Sequence, residues 1–90
     1  MKRVSYTIAL DSVLSIMDGR QKIRIYDRQN AWDDHPALIY EGTGNEFRSI
    51  KCVLPKGYSE YKVERSQVHR MDIEEDGVLC FTIQTKYEEY

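Results

Sequence analysis

The chain has 90 residues, a size that supports one modest hydrophobic core, so we expect a single compact domain over residues 1–90. Its 41% hydrophobic and 31% charged residues argue against intrinsic disorder, and a net charge of −2 argues against strong binding of duplex nucleic acid. The apolar runs are too short to cross a bilayer, and no export signal is recognisable. We therefore expect a cytoplasmic protein with reduced cysteines and no membrane contact.

The first third of the chain predicts a strand followed by a helix. Alternation over residues 4–8 places Val4, Tyr6 and Ile8 on one face of a strand. Apolar residues then recur at offsets of three, four and seven over residues 10–17, which predicts a short helix whose apolar stripe must be buried to be stable. We expect Gly19 to end this helix in the left-handed conformation.

The segment Lys22–Asp27 alternates polar and apolar side chains and predicts a second strand. Its two isoleucines fall on a buried face, whereas Lys22, Arg24 and Tyr26 fall on the opposite face. Residues 28–36 contain paired aspartates and a His-Pro step and predict a loop.

The second half of the chain is mostly β-prone. Residues 37–41 predict a hairpin partner for the preceding strand, which residues 42–45 end with two glycines. Residues 47–54 alternate and predict a further strand, and we interpret residues 58–67, which fit helix and strand equally, as irregular structure entering a strand.

The most distinct β signal is Asp76-Gly77, which lies between two β-prone runs at residues 68–73 and 78–85 and predicts a closing hairpin. Leu79, Phe81 and Ile83 form its predicted core face. These elements together predict an α+β domain: one short N-terminal helix packed on a four- or five-stranded, mainly antiparallel sheet, with a small barrel as the closed alternative. Residues 86–90 form a short acidic tail.

Seven tyrosines and one tryptophan are the main indication of function. Tyrosine and tryptophan are common in binding surfaces because they bury a large area at low entropic cost. Some of these rings must simply cover the sheet, as we expect for Tyr6, Tyr26 and Tyr40. The predicted partner-binding residues are the others: Trp32, Tyr58, Tyr61, Tyr87 and Tyr90.

A local excess of positive charge gives an alternative hypothesis, the binding of nucleic acid or a phosphate-bearing nucleotide through a basic strand face. The residues are Arg20, Lys22, Arg24 and Arg28. Charges on an exposed strand also serve solubility and edge protection, which is the competing interpretation.

Catalysis has little support in the sequence. Asp33, Asp34 and His35 are the only cluster with metal-ligand chemistry, yet sequential neighbours rarely converge on one ion. We expect His69, which shares a predicted face with Met71 and Ile73, to be packed rather than catalytic. We therefore predict no enzyme activity, no metal and no cofactor, and a protein partner, with a homodimer through a β edge or the tyrosines as a further expectation.

A pattern of elements resembles small accessory proteins from phages and mobile elements of Gram-positive bacteria. It comprises the 10–17 helix with Asp18-Gly19, the Lys22–Asp27 strand, the run Leu38-Ile39-Tyr40-Glu41-Gly42 and the Asp76-Gly77-Val78-Leu79 hairpin. The resemblance implies a compact binder in the host cell, with inhibition of a host defence system, as by an anti-CRISPR protein or a sponge for signal nucleotides, as its role. It transfers no functional residue to this chain.

Overall fold

A computed structural model of the protein describes residues 8–29, 32, 34–49 and 54–85. The predicted strand at residues 4–8, apart from Ile8, and the acidic tail at residues 86–90 lie outside these residues. The helices and strands follow in the order α1 (Leu10–Ile16), β1 (Lys22–Asp27), β2 (Ala37–Thr43), α2 (Gly44–Phe47), α3 (Glu60–Arg65), β3 (Val68–Ile73) and β4 (Leu79–Ile83).

The four strands form one open sheet in the order β2-β1-β4-β3. β1 pairs with β2 and β3 pairs with β4 in the antiparallel sense, whereas β1 and β4, the two central strands, run parallel. This architecture confirms the predicted α+β fold with a mainly antiparallel sheet and adds a parallel pair at its centre. Within the described residues the sheet has two edges, β2 and β3.

The core lies between one face of this sheet and the helices. Ile23 and Ile25 are fully buried, as their alternation along β1 predicted, and Phe81 and Ile83 of β4 are buried beside them. The side chains that the helices and β2 add to this cluster are Leu10, Leu14, Ile39, Tyr40, Phe47 and Val63.

Helix α1 agrees with the predicted helix, but Gly19 does not have the predicted role of ending it. The helix ends at Met17 in extended backbone, and Gly19 is not left-handed, so that prediction was wrong. A Cβ on Gly19 would lie 2.0 Å from Oδ1 of Asn45, and the backbone N–H of Asn45 donates to the Gly19 carbonyl at 2.9 Å. Gly19 is therefore suited to this position because α2 approaches it closely.

Two short helices replace structure that we predicted otherwise. Phe47, placed at the start of a strand over residues 47–54, ends α2 instead, and residues 50–53 lie outside the described residues. Thr43 starts α2 with a capping box: its hydroxyl accepts from the Glu46 N–H at 3.2 Å, and Glu46 accepts from the Thr43 N–H at 3.2 Å. Irregular structure was also wrong for residues 60–65, which form α3 after the N-cap Ser59.

The closing hairpin is confirmed. Gly77 has a φ of 81°, which suits glycine, and Asp76 accepts a hydrogen bond from the Val78 N–H at 3.1 Å. Leu79, Phe81 and Ile83 face the core cluster as predicted.

On the outer strand β3, the predicted packing of His69 was wrong. His69 is exposed, together with Met71 (55% exposed) and Ile73 (73% exposed), and all three lie on β3, which is an edge strand of the described sheet. On the opposite face of the sheet, Cys80 is only 5% exposed, although it was predicted to face away from the core. Both faces of the central strand β4 are therefore covered, whereas β3 is not.

Candidate functional site

Most features with binding chemistry lie at one end of the sheet. Because β1 and β4 are parallel, both strands finish at this end, where Asp27 lies in register with Ile83. The connection that carries Trp32 starts after Asp27 and returns at Ala37, which is the partner of Asp27 in β2. Residues of α3 reach the same end, since Tyr61 lines a shallow depression together with Thr85, which follows β4.

A buried carboxylate organises this end. Asp27 is 1% exposed, and its Oδ1 accepts from the backbone N–H of Thr85 at 3.0 Å. Its Oδ2 accepts from the Thr85 hydroxyl at 2.8 Å and from the Tyr58 hydroxyl at 2.5 Å. Burial, together with this bond to Asp27, raises the pKa of Tyr58 to about 12. We call Asp27, Tyr58 and Thr85 the carboxylate cluster; it joins the end of β1, the end of β4 and the residues before α3.

Exposed aromatic and cationic side chains lie on α3 and on the connection after β1, both of which adjoin residues of the carboxylate cluster. Trp32 is 86% exposed and Tyr61 is 63% exposed. The guanidinium carbon of Arg65 lies 4.4 Å from the centre of the Tyr61 ring, in the geometry of a cation–π contact one helical turn apart. We call Trp32, Tyr61 and Arg65 the aromatic end.

The adjoining strands add two more groups that are suited to contact. Arg28 donates from Nε to Oε1 of Gln84 at 3.2 Å, which holds the guanidinium beside the end of β4. Partial burial, and then the positive charge of Arg28, lower the pKa of His69. His69 is therefore biased toward its neutral form at this end of the molecule.

The structure separates the five predicted partner-binding residues. Trp32 and Tyr61 are both exposed, whereas Tyr58 is half-buried and donates its hydroxyl to Asp27. Tyr87 and Tyr90 lie outside the described residues. Arg65 and Asp27 were not among the predicted site residues. The alternation of β1 does indicate the burial of Asp27, because this residue lies two positions after Ile25 and four after Ile23, on the same face of the strand.

The four predicted ligand-binding cations do not form one basic surface. Arg20 makes an ion pair with Asp18 at 3.1 Å, and Arg24 makes ion pairs with Glu41 at 2.6 Å and Asp76 at 3.2 Å. The hydrogen bond that Arg24 donates to the Glu41 carboxylate is the largest of the effects that raise the pKa of Arg24.

The two other cations are far apart along the same strand. Lys22 begins β1 and Arg28 follows its last residue, so they are separated by about 20 Å at the usual rise of a strand. The groove of about 300 Å³ beside Lys22 and Arg24 is also lined by Glu41, Glu46 and Asp76. Its carboxylates would repel a phosphate.

The proposed metal cluster gains no support from the described residues. Asp34 and His35 are exposed on the loop, and Asp33 lies outside the residues that are described. Among those residues, no group of three His, Cys, Asp or Glu side chains is arranged to hold a metal ion.

The fold and this surface define a small α+β domain with an aromatic end built on a buried carboxylate. Comparison of the chain with protein-family models, with curated proteins and with solved structures finds no match. Among the described helices, none has the length and apolar character needed to cross a membrane.

Proposed function

We propose that this protein is a small, non-enzymatic protein-binding module, an inhibitor or an adaptor, that contacts its partner through the aromatic end. The observation that carries the proposal is the exposure of Trp32 and Tyr61 at the same end of the sheet, with Arg65 stacked on Tyr61. Tryptophan, tyrosine and arginine are the residue types that dominate the binding energy of protein interfaces.

The carboxylate cluster supports the proposal because it fixes the elements that carry the aromatic end. Asp27 is the last residue of β1, directly before the connection that carries Trp32, and Tyr58 lies two positions before the first residue of α3. A loop that leaves a fixed, buried anchor loses less conformational entropy on binding than one that leaves a mobile strand end. The resemblance to phage and mobile-element proteins favours a host defence protein as the target of such an inhibitor.

The test is affinity capture from a lysate of the native host, followed by mass spectrometry, with the wild type and a Trp32→Ala, Tyr61→Ala double variant. We expect the double variant to bind the partner at least tenfold more weakly and to capture correspondingly less of it. A tenfold loss of affinity corresponds to about 1.4 kcal/mol of binding free energy. Its melting temperature should change little, since both side chains are exposed.

A matched control is Ile16→Ala, which removes an apolar side chain that is 85% exposed at the far end of α1. This variant should capture the partner as the wild type does. Equal capture by the double variant and the wild type would contradict the proposal, as would loss of the fold in the double variant. Tyr58 is unsuitable for this test because its substitution also removes the hydrogen bond to Asp27.

The nucleic-acid or nucleotide alternative is tested with the same proteins. Oligonucleotides and cyclic nucleotides are titrated at low ionic strength, where phosphate binding is strongest. Because Arg20 and Arg24 already pair with carboxylates, we expect no salt-dependent binding. Binding that is lost at higher salt and in a Lys22→Ala variant would instead favour the alternative.

A further inference from the structure

A shallow depression of about 260 Å³ adjoins two residues of the aromatic end. Among the described residues, its lining comes from α3 and from the positions that follow α3 and β4: Tyr61, Lys62, Arg65, Ser66 and Thr85. Two of these side chains are cations and none is a carboxylate. The depression differs in this respect from the groove beside Lys22 and Arg24, where three carboxylates offset the two cations.

The carboxylates of α3 lie on another side of this helix. At 3.6 residues per turn, Lys62 and Arg65 project about 60° apart, whereas Glu60 and Glu64 project about 100° or more away from both cations. Burial, and then the charges of Glu60 and Asp11, raise the pKa of Glu64. Because Asp11 belongs to α1, the carboxylates of α3 lie toward α1, and its cations lie toward the depression.

The two cations of the depression are available for contact. Both are exposed, and in the described part of the chain neither Lys62 nor Arg65 makes an ion pair. The guanidinium of Arg65 lies 4.4 Å from the centre of the Tyr61 ring, which favours one orientation of its plane. A planar guanidinium presents a fork of N–H donors that matches a carboxylate. Because Cβ atoms three positions apart on a helix are about 5–6 Å apart, Lys62 can reach the same anion.

The charges of the molecule also differ between the two ends of β4. Residues 74–76, which are all acidic, precede this strand, whereas Thr85 of the depression follows it. The five residues of β4 separate the acidic hairpin from the depression by about 16 Å. Arg28 lies at the same end as Thr85, since its backbone N–H donates to the Ile83 carbonyl at 2.9 Å. A negatively charged segment is therefore repelled by the hairpin and attracted to the end that carries the depression.

We propose that the partner of the aromatic end presents an acidic peptide segment, one carboxylate of which binds between Lys62 and Arg65. In this arrangement Arg65 donates two N–H groups to the carboxylate, and Lys62 supplies the second positive charge. The inference rests on the proposed function and deepens it, because it names the chemistry of the partner. A nucleic acid fits this surface less well, since duplex binding requires a broad basic footprint and the chain has a net charge of −2.

A direct test titrates the isotope-labelled full chain at low ionic strength and follows its amide chemical shifts by nuclear magnetic resonance. The probes are end-blocked hexaglutamate, end-blocked hexalysine and a single-stranded oligonucleotide with the same charge as hexaglutamate. We expect hexaglutamate to shift the amides of Tyr61, Lys62 and Arg65, and hexalysine to leave them unchanged. Hexaglutamate shifts that are absent at these amides would overturn the proposal. Equal shifts with hexalysine, or tighter binding of the oligonucleotide at the same residues, would also overturn it.

A matched pair of charge-neutralising double variants tests the same surface with the natural partner. Lys62→Gln, Arg65→Gln removes the two cations of the depression without adding carboxylates to the last turn of α3. Arg20→Gln, Lys22→Gln is the control, since it removes two exposed cations at and before the start of β1 and leaves the same net charge. In capture from a lysate of the native host, we expect the first variant to bind the partner at least about tenfold more weakly than the wild type and the control to bind it equally well.

The same capture separates this inference from the proposed function on which it rests. Loss of the partner by Trp32→Ala, Tyr61→Ala, with full capture by Lys62→Gln, Arg65→Gln, would overturn the acidic segment and leave the proposed function standing. Full capture by both of these variants would overturn both. Equal losses in the two charge-neutralised variants would reveal an effect of net charge alone, which would overturn the assignment to the depression.

Discussion

The Tyr58 hydroxyl is expected to contribute strongly to stability although it is a single polar group. Tyr58→Phe removes the 2.5 Å hydrogen bond to Asp27, an acceptor that is 1% exposed. Hydrogen bonds to charged groups typically contribute about 1.5–3 kcal/mol. We expect the free energy of unfolding to fall by about that amount, because the ring stays in place while Asp27 keeps only its two bonds from Thr85.

Urea denaturation followed by circular dichroism measures this change, with the denaturant slope unchanged if only stability is affected. In a thermal scan the melting temperature should fall by at least about 6 °C. Tyr61→Phe is the matched control, since it removes a hydroxyl from a ring that is 63% exposed, and its effect should stay within about 0.5 kcal/mol. Equal losses in the two variants would refute the role of the carboxylate cluster.

The same hydroxyl predicts how stability depends on pH. Burial and the Asp27 bond raise the pKa of Tyr58 from the usual 10.0 to about 12, so the folded state holds this proton more tightly than the unfolded state. The resulting stability is fully present below pH 10 and is lost as the pH rises toward 12. The urea midpoint is measured at the lower and at the upper end of this pH interval. It should decrease more between the two for the wild type than for Tyr58→Phe, and an equal decrease would contradict the raised pKa of Tyr58.

Three further predictions concern other parts of the fold. Phe47→Ala should cost about 3–5 kcal/mol in a urea titration, because Phe47 is fully buried; a loss below 1 kcal/mol would show that α2 is not part of the core. Thr43→Ala should cost about 1 kcal/mol of unfolding free energy by removing the cap of α2. If Glu46→Gln has a similar cost and the two costs add in the double variant, the two side chains act independently and the charge-assisted capping box is contradicted. In a Cys52→Ser background, a thiol reagent should modify Cys80 only as fast as the protein opens, since burial raises the pKa of this thiol; rapid modification of folded protein would contradict it.

The sequence predicted the elements in which apolar spacing repeats. β1 and the β3–β4 hairpin follow from alternation, and α1 follows from its apolar stripe. Helices α2 and α3 each bury one side chain, Phe47 and Val63, so they have no period to detect. Their signals lie in their first residues: Thr43 with Glu46 three positions later, and the N-cap Ser59.

Non-local contacts were harder to predict. The parallel pairing of β1 with β4 joins strands that are more than fifty residues apart, and no local pattern encodes it. The carboxylate cluster depends on that pairing, because Thr85 reaches Asp27 only when β4 lies beside β1. The approach of Asn45 to Gly19 is likewise a contact between separate elements, so the glycine looked like a local helix stop. Only the burial of Asp27 was readable in advance, from its position in the β1 alternation.

The aromatic residues near the end of β1 differ in their surroundings: Tyr58 is hydrogen-bonded inside the fold, whereas Trp32 and Tyr61 are exposed. Tyr58 has its hydroxyl on a buried charge, so it fixes the place where α3 and the Trp32 loop leave the sheet. Tyr61 has an exposed ring with Arg65 stacked on its face, and the proposed function assigns it to contact with the partner. Tyr58→Phe should therefore weaken partner capture only as far as it loosens this end, whereas Tyr61→Ala should weaken capture without a comparable loss of stability.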